Sequence, residues 1–316
     1  MTDKPKLPTY LKENADNSMT VDLSRGDDVD GTKAMKITLF ITLILSSSFV
    51  AAKEPVLDAE NLVFGRYIND KQHHALQMPI VTYTNNKGQS VDLVAAVHVG
   101  DAVYYATLNE KFKNYDAVLF EAVMPENASI QKNTKTSEQS PITMLQHGMK
   151  NVLDLTYQLD QVDYSAKNFV HADMTPQEMS KSMEDKGESM ITMMIKLWRA
   201  GVVQQLKGGS MNNTDMMMAL MSGDVSHQLK ILMAQEMINM DDSLSMLEGA
   251  EGSTLITERN KKAFKVLRRE MMSNNNKSLA VFYGAGHLKD MSQRLINDFD
   301  MKAVSIEWID AWNLEK

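Results

Sequence analysis

The 316-residue chain contains no cysteine. That absence excludes disulfides, thiolate metal ligands, a cysteine nucleophile and a lipid-bearing N-terminal cysteine. It leaves the compartment open, because exported proteins often lack disulfides too. Basic residues are in deficit: 33 Lys and Arg face 41 Asp and Glu, a formal net charge of −8. This balance argues against non-specific binding to nucleic acid or anionic lipid. No apolar run has the length of a full membrane span. What is present is ordinary for a globular protein, with 43% hydrophobic and 23% charged residues. The length allows one large domain or two small ones, with a sizeable core in either case.

One short apolar run does stand out. Met35-Lys36 is a basic start, Ile37 to Leu45 an apolar core, and Ser46 to Ala52 a tail ending in small residues. The order is that of a secretory signal peptide cleaved before Lys53. It implies an exported protein, periplasmic or extracellular, with peripheral membrane contact if the segment is retained as an anchor. Residues 1–34 hold seven acidic and five basic residues without hydrophobic periodicity. They read as a disordered extension or as a misassigned start ahead of Met35. Residues 53–316 then form a single domain.

Within that domain, strand character marks Leu62 to Ile68, Ile80 to Thr84 and Ser90 to Val97, with a hairpin signal at Asn85-Asn86-Lys87-Gly88. His73 and His74 fall in a polar connection and read as solvated. A helix is expected from Asp101 to Tyr115, followed by a buried strand, Ala117 to Phe120; strand, helix, strand implies a parallel pair. After Gly252 the same alternation resumes, with a helix over 254–272, a strand over 278–283, a helix over 288–299 and a strand over 303–308. The expected fold is α/β, with a central mostly parallel sheet built jointly by the N- and C-terminal flanks.

Between the flanks, about 141–250, the pattern is helical with no convincing strand. Seventeen of the 26 methionines lie from Met144 to Met246. We read this as a large Met-rich helical insertion, either packed as helix core or serving as an adaptable wall over a site. Thr175-Pro176-Gln177-Glu178 marks a helix start, with proline at the first helical position and glutamate completing a capping box. His171 and Asp173 immediately precede it.

Three polar side chains capable of binding metal follow apolar strand runs: His98, Glu121 and His287. If their strands are parallel neighbours, the three meet at one sheet edge. Two histidines and a carboxylate are a common minimal set for a catalytic divalent cation, here Mn, Co or Zn. Asp173 or His171 would add a further donor from the insertion. Such a cation activates water and polarises a carbonyl, which is hydrolytic chemistry. Gly284-Ala285-Gly286 before a helix could hold a phosphate on backbone N–H groups, but it is too short for a dinucleotide fingerprint.

In these features the chain resembles the TraB/PrgY/GumN/Tiki family, whose mark is a pair of Gly-x-x-His motifs. Gly284-Ala285-Gly286-His287 matches the second; Ala95-Ala96-Val97-His98 matches the first except that alanine replaces glycine. Glu121 matches the family's acidic residue after the next strand, and Glu258-Arg259-Asn260 its Glu-Arg-Asn stretch. The resemblance spans roughly 62–308. It implies a metal-dependent hydrolase, most simply a peptidase on peptides or secreted proteins: His98 and His287 hold the metal, Glu121 is ligand or general base, and Glu258 and Arg259 act in catalysis, Arg259 by steadying a carboxylate or an oxyanion. The alternative is a non-catalytic protein of the same fold that sequesters peptides. If glycine were required at position 95 for positive φ, Ala95 would be costly; a requirement for small size alone would tolerate it.

Overall fold

The structure is a computed structural model that describes residues 11–13, 19–21, 57–58, 61–126, 128–130, 153, 155–189, 192, 213–248, 252–273 and 276–316. The segment read as a signal peptide lies outside the described residues, as do most of 131–154 and 190–212 within the expected insertion. The chain divides into two units, 1–52 and 53–316. In the first, β1 (Leu11–Glu13) pairs antiparallel with β2 (Met19–Val21). This differs from the expectation of no ordered element there: Thr20 and Val21 are strand-favouring residues in an otherwise polar stretch.

The second unit is α/β. A seven-stranded sheet contains β3 (Arg66–Asn69), β4 (His74–Thr84), β5 (Ser90–Ala96), β7 (Ala117–Phe120), β9 (Phe169–His171), β10 (Ser278–Gly284) and β11 (Lys302–Asn313). Its order is β11-β4-β5-β10-β7-β9, and β3 lies beside the first half of β4. Only β4 runs against the rest: it is antiparallel to β3, β5 and β11, whereas β5, β10, β7 and β9 are mutually parallel. The central strand, β10, comes from the C-terminal flank and inserts between two strands of the N-terminal flank, so both flanks share one sheet. Leu279, Ala280, Val281, Phe282 and Tyr283 on β10 are fully buried, the near-continuous apolar run of a strand covered on both faces.

The hairpin between β4 and β5 turns where the sequence indicated. Asn85 Oδ1 accepts the N–H groups of Lys87 and Gln89, and Gly88 takes φ +75°, a conformation glycine adopts without penalty. The helix α1 (Ala102–Phe112) then leads to β7. Its N-cap residue Asp101 does not cap it; the carboxylate accepts instead from Lys230 Nζ at 2.8 Å and from the Asn313 N–H.

The expected all-helical insertion differs in its first part. A two-residue β8 (Thr156–Tyr157) pairs with β6 (Val99–Gly100), and β9 forms the edge of the main sheet. A three-residue strand is too short to register as a periodicity, which is why the sequence pattern missed it. Between and after these strands come a short α2 (Gln158–Gln161) and α3 (Pro176–Asp185). The latter begins on the reciprocal capping box: Thr175 Oγ1 accepts the Glu178 N–H and Glu178 Oε2 accepts the Thr175 N–H. Farther along, α4 (Asn213–Met221) and α5 (Val225–Glu248) are helical as expected. A π-helical turn, Thr254–Glu258, runs into α6 (Arg259–Met272), which packs on β7. The last helix, α7 (Ala285–Phe299), packs on β5 and β10. Among the described residues no helix is long and apolar enough to cross a membrane.

Candidate functional site

Three adjacent parallel strands, β5, β10 and β7, present their carboxyl ends at one edge. His98, Glu121 and His287, each just beyond one of them, line a single cavity of about 650 Å³. Arg259, Gly284 and Gly286 also line it, together with the apolar side chains of Val63, Phe64, Met78, Met237, Ile238 and Leu255. The α5 residues Met237 and Ile238 bring the Met-rich region to the cavity.

Glu121 follows β7 directly. Its Oε2 accepts the Gly284 N–H at 2.7 Å, and its Oε1 accepts from Arg259 Nη2 at 2.6 Å. The same Oε1 lies 3.5 Å from His287 Nε2. Burial works to raise this carboxyl's pKa, but His287, Arg259 and the Gly284 N–H outweigh it and hold the group far below the usual carboxylate range. Glu121 is therefore a carboxylate at any ordinary pH. That suits it to holding a cation and makes it a weak general base.

Arg259, at the junction of the π-helical turn and α6, is 8% exposed. Burial acts against its charge, while Asp173 and Glu121 act for it and prevail, pushing its pKa above the ordinary value. Nε and Nη2 donate to the two carboxylate oxygens of Asp173 at 3.0 and 2.6 Å, a two-pronged pairing suited to the planar guanidinium. Nη1 makes only two long contacts, to the Leu255 carbonyl and to His287 Nε2, both 3.4 Å. One positive charge thus faces two negative ones, leaving a single negative charge among the three groups.

The other sequence-derived candidates lie elsewhere. Asp173 is buried behind Arg259 and His171 Nε2 bonds to the Ala122 carbonyl at 2.7 Å; neither lines the cavity. His171 ends β9 and Asp173 follows it, one strand farther out than the three that frame the site. Glu258, expected to act in catalysis, is also outside the lining: it pairs with Lys261 at 2.9 Å and Lys186 at 3.3 Å on the outer side of the turn. Glu258 and Arg259 are consecutive in sequence, and on a helical turn that step points them in different directions. His98 is exposed at the cavity rim, between β5 and β6. Ala95 lies inside β5, with no positive φ among the described non-glycine residues except Asp300. Position 95 therefore makes no backbone demand for glycine, and alanine is compatible with it.

Two contacts were not read from sequence. Gly284 admits the carboxylate, since a Cβ there would stand 3.3 Å from Glu121 Oε2. Asn260, fully buried, bonds His287 Nδ1 through its Oδ1 at 2.7 Å. Its place in the Glu-Arg-Asn stretch was the available signal.

Among the described residues no three His, Asp or Glu side chains form a ready metal cage. Two do have a fitting separation. Donors each ~2.1 Å from one ion at a tetrahedral angle stand ~3.4 Å apart, close to the 3.5 Å between Glu121 Oε1 and His287 Nε2. The bond from the far ring nitrogen to Asn260 is of the kind that orients metal-binding histidines. Compared with family models, curated proteins and solved structures, the chain has no significant match.

Proposed function

We propose that this chain is an exported, metal-dependent hydrolase acting on peptides or secreted proteins, in the periplasm or outside the cell. The observation that carries the reading is the Glu121 Oε1–His287 Nε2 pair, 3.5 Å apart in a cavity that apolar side chains also line. The paired motifs, and the family they resemble, support the same chemistry. Glu121, His287 and His98 from the rim would hold a divalent cation such as Mn, Co or Zn, which would supply an activated water and polarise the scissile carbonyl. The apolar lining would seat a peptide's hydrophobic side chain and exclude bulk water. Arg259 would keep Glu121 ionised and in place, and would offer the weakly engaged Nη1 to a developing oxyanion.

A second reading is favoured by the same geometry seen differently. Both Glu121 oxygens are already hydrogen-bonded and Arg259 bridges the carboxylate and the imidazole, so the cluster is electrostatically provided for without a metal. On that reading the cavity sequesters peptides and does not cut them. Metal analysis of the purified protein, with peptide cleavage assayed with and without Mn²⁺ or Co²⁺, separates the two. Bound metal and activity that both fall in His98→Ala and His287→Ala support the hydrolase; peptide binding without either supports sequestration. Export is tested by the mature N-terminus: secreted protein beginning near Lys53 fits, and cytosolic protein retaining residues 1–34 does not.

A further inference from the structure

We infer that Asn260 is a positioning residue that fixes the proton of His287 on Nδ1 and so directs the unprotonated Nε2 into the cavity. The argument is one of donors and acceptors. Asn260 Nδ2 faces the His287 carbonyl at 3.1 Å and Asp290 Oδ2 at 2.7 Å. Asp290 is in turn gripped by Arg294, whose Nε and Nη2 lie 2.6 and 3.0 Å from its two oxygens. A carbonyl and an ion-paired carboxylate only accept, so the Asn260 amide must present its NH2 to them. Its oxygen is then turned to His287 Nδ1 at 2.7 Å. That oxygen can only accept, so Nδ1 carries the hydrogen, and in the neutral ring Nε2 carries the lone pair.

Nε2 itself has neighbours of both kinds: Arg259 Nη1, which can only donate, at 3.4 Å, and Glu121 Oε1, which can only accept, at 3.5 Å. Being opposed and long, they do not decide where the proton of the neutral ring sits. The Asn260 bond is shorter than the Arg259 contact by 0.7 Å, from 2.7 and 3.4 Å, and is the one that sets the tautomer. The chain Arg294–Asp290–Asn260–His287 thus links α7 to α6 and returns to the first turn of α7. Asn260 and His287 are both buried, so water does not compete for these bonds.

The functional meaning of this inference rests on His287 being a site residue, but its test needs neither substrate nor metal. The full chain, labelled with 15N-histidine and treated with EDTA so that no cation fixes the ring, is measured by two-bond 1H–15N correlation. His287 is assigned from the set of signals missing in His287→Gln. In wild type, with the ring neutral, Nδ1 should show a protonated and Nε2 an unprotonated 15N shift. Asn260→Ala should move the tautomer ratio about tenfold toward Nε2–H, the effect of one hydrogen bond. The double variant Asn260→Asp with Asp290→Asn keeps an acceptor opposite Nδ1 and gives the second oxygen a donor in place of the Asp290 carboxylate it would otherwise face; it should keep the proton on Nδ1, and it decides the matter if the alanine variant does not fold. An Nε2–H ring in wild type, a wild-type pattern in folded Asn260→Ala, or loss of the Nδ1 proton in the double variant would each overturn the inference. Failure of the hydrolase reading would show separately, as absent cleavage with an unchanged ring signature.

Discussion

Gly284 and Glu121 meet at 2.7 Å, backbone N–H to carboxylate Oε2, and a Cβ at position 284 would stand only 3.3 Å from that oxygen. The backbone there has φ −51° and ψ 138°, which alanine also adopts, so the demand for glycine is steric. Gly284→Ala should fold but displace the carboxylate by a few tenths of an ångström. We expect a loss of about 1 kcal/mol, the low end for overpacking, or a fall in Tm of roughly 2–4 °C. Any bound metal or activity should decline with it. Thermal melts of the variant check the first expectation; unchanged stability and metal content would show that the carboxylate has room to spare.

Arg259 neutralises two carboxylates with one guanidinium, so its removal strands Glu121 and Asp173 in the interior. Arg259→Met should cost about 3–5 kcal/mol, the penalty for breaking a buried ion pair from one side. Arg259→Lys keeps the charge but loses the two-pronged geometry toward Asp173, and should recover only part of that loss. Urea denaturation of both variants tests this. If Arg259→Met is as stable as wild type, the cluster does not hold this corner together.

Much of this arrangement was legible in sequence. Runs such as Leu279 to Tyr283 and Ala117 to Phe120 announced buried strands, and the polar residues at their ends announced a common edge. The pairing of Arg259 with Asp173 was not legible: the two lie 86 residues apart, and no local pattern records such a contact. Phe169 to His171 was hidden by its brevity. Glu258 was misplaced because a motif gives adjacency in sequence, whereas a helical turn sends adjacent side chains apart.

His73 and His74 are neighbours that respond to pH in opposite senses. His73 hydrogen-bonds Asp310 at 3.0 Å and Glu315 at 3.2 Å, and the Asp310 bond leads in raising its pKa. His74 is lowered, chiefly by burial and then by the charge of His227; its Nε2 meets the Tyr67 hydroxyl at 2.7 Å. A raised folded-state value means that His73 contributes stability below the ordinary histidine pKa of about 6.5. That contribution is lost as pH rises through the raised value. His74 does the reverse and costs stability as pH falls below about 6.5. His73→Gln should therefore lower Tm more at pH 6 than at pH 9. Melts of wild type and variant at both pH values measure the difference, and equal losses would contradict the assignment.

The apolar lining gives the last prediction. On the proposed reading, a peptide's hydrophobic side chain packs on the apolar part of the lining, which includes Phe64, Met78 and Ile238. Ile238 is only half-buried, and a Cβ added at Gly65 would come within 3.1 Å of its Cδ1, so the lining is closely set at this point. Ile238→Asp would replace an apolar contact with a hydrated carboxylate; because Ile238 also packs against the core, an unchanged circular-dichroism spectrum of the variant is the companion measurement. If a ligand covers ~60 Å² of this side chain, about 1.5 kcal/mol of binding is lost at 25 cal/mol per Å², roughly tenfold in Kd. Anisotropy titrations with a labelled hydrophobic peptide and an acidic one measure the effect. The hydrophobic peptide should weaken about tenfold or more in the variant, and the acidic peptide should bind neither form well. Equal affinity of the variant and wild type for the hydrophobic peptide would place the ligand somewhere other than this cavity.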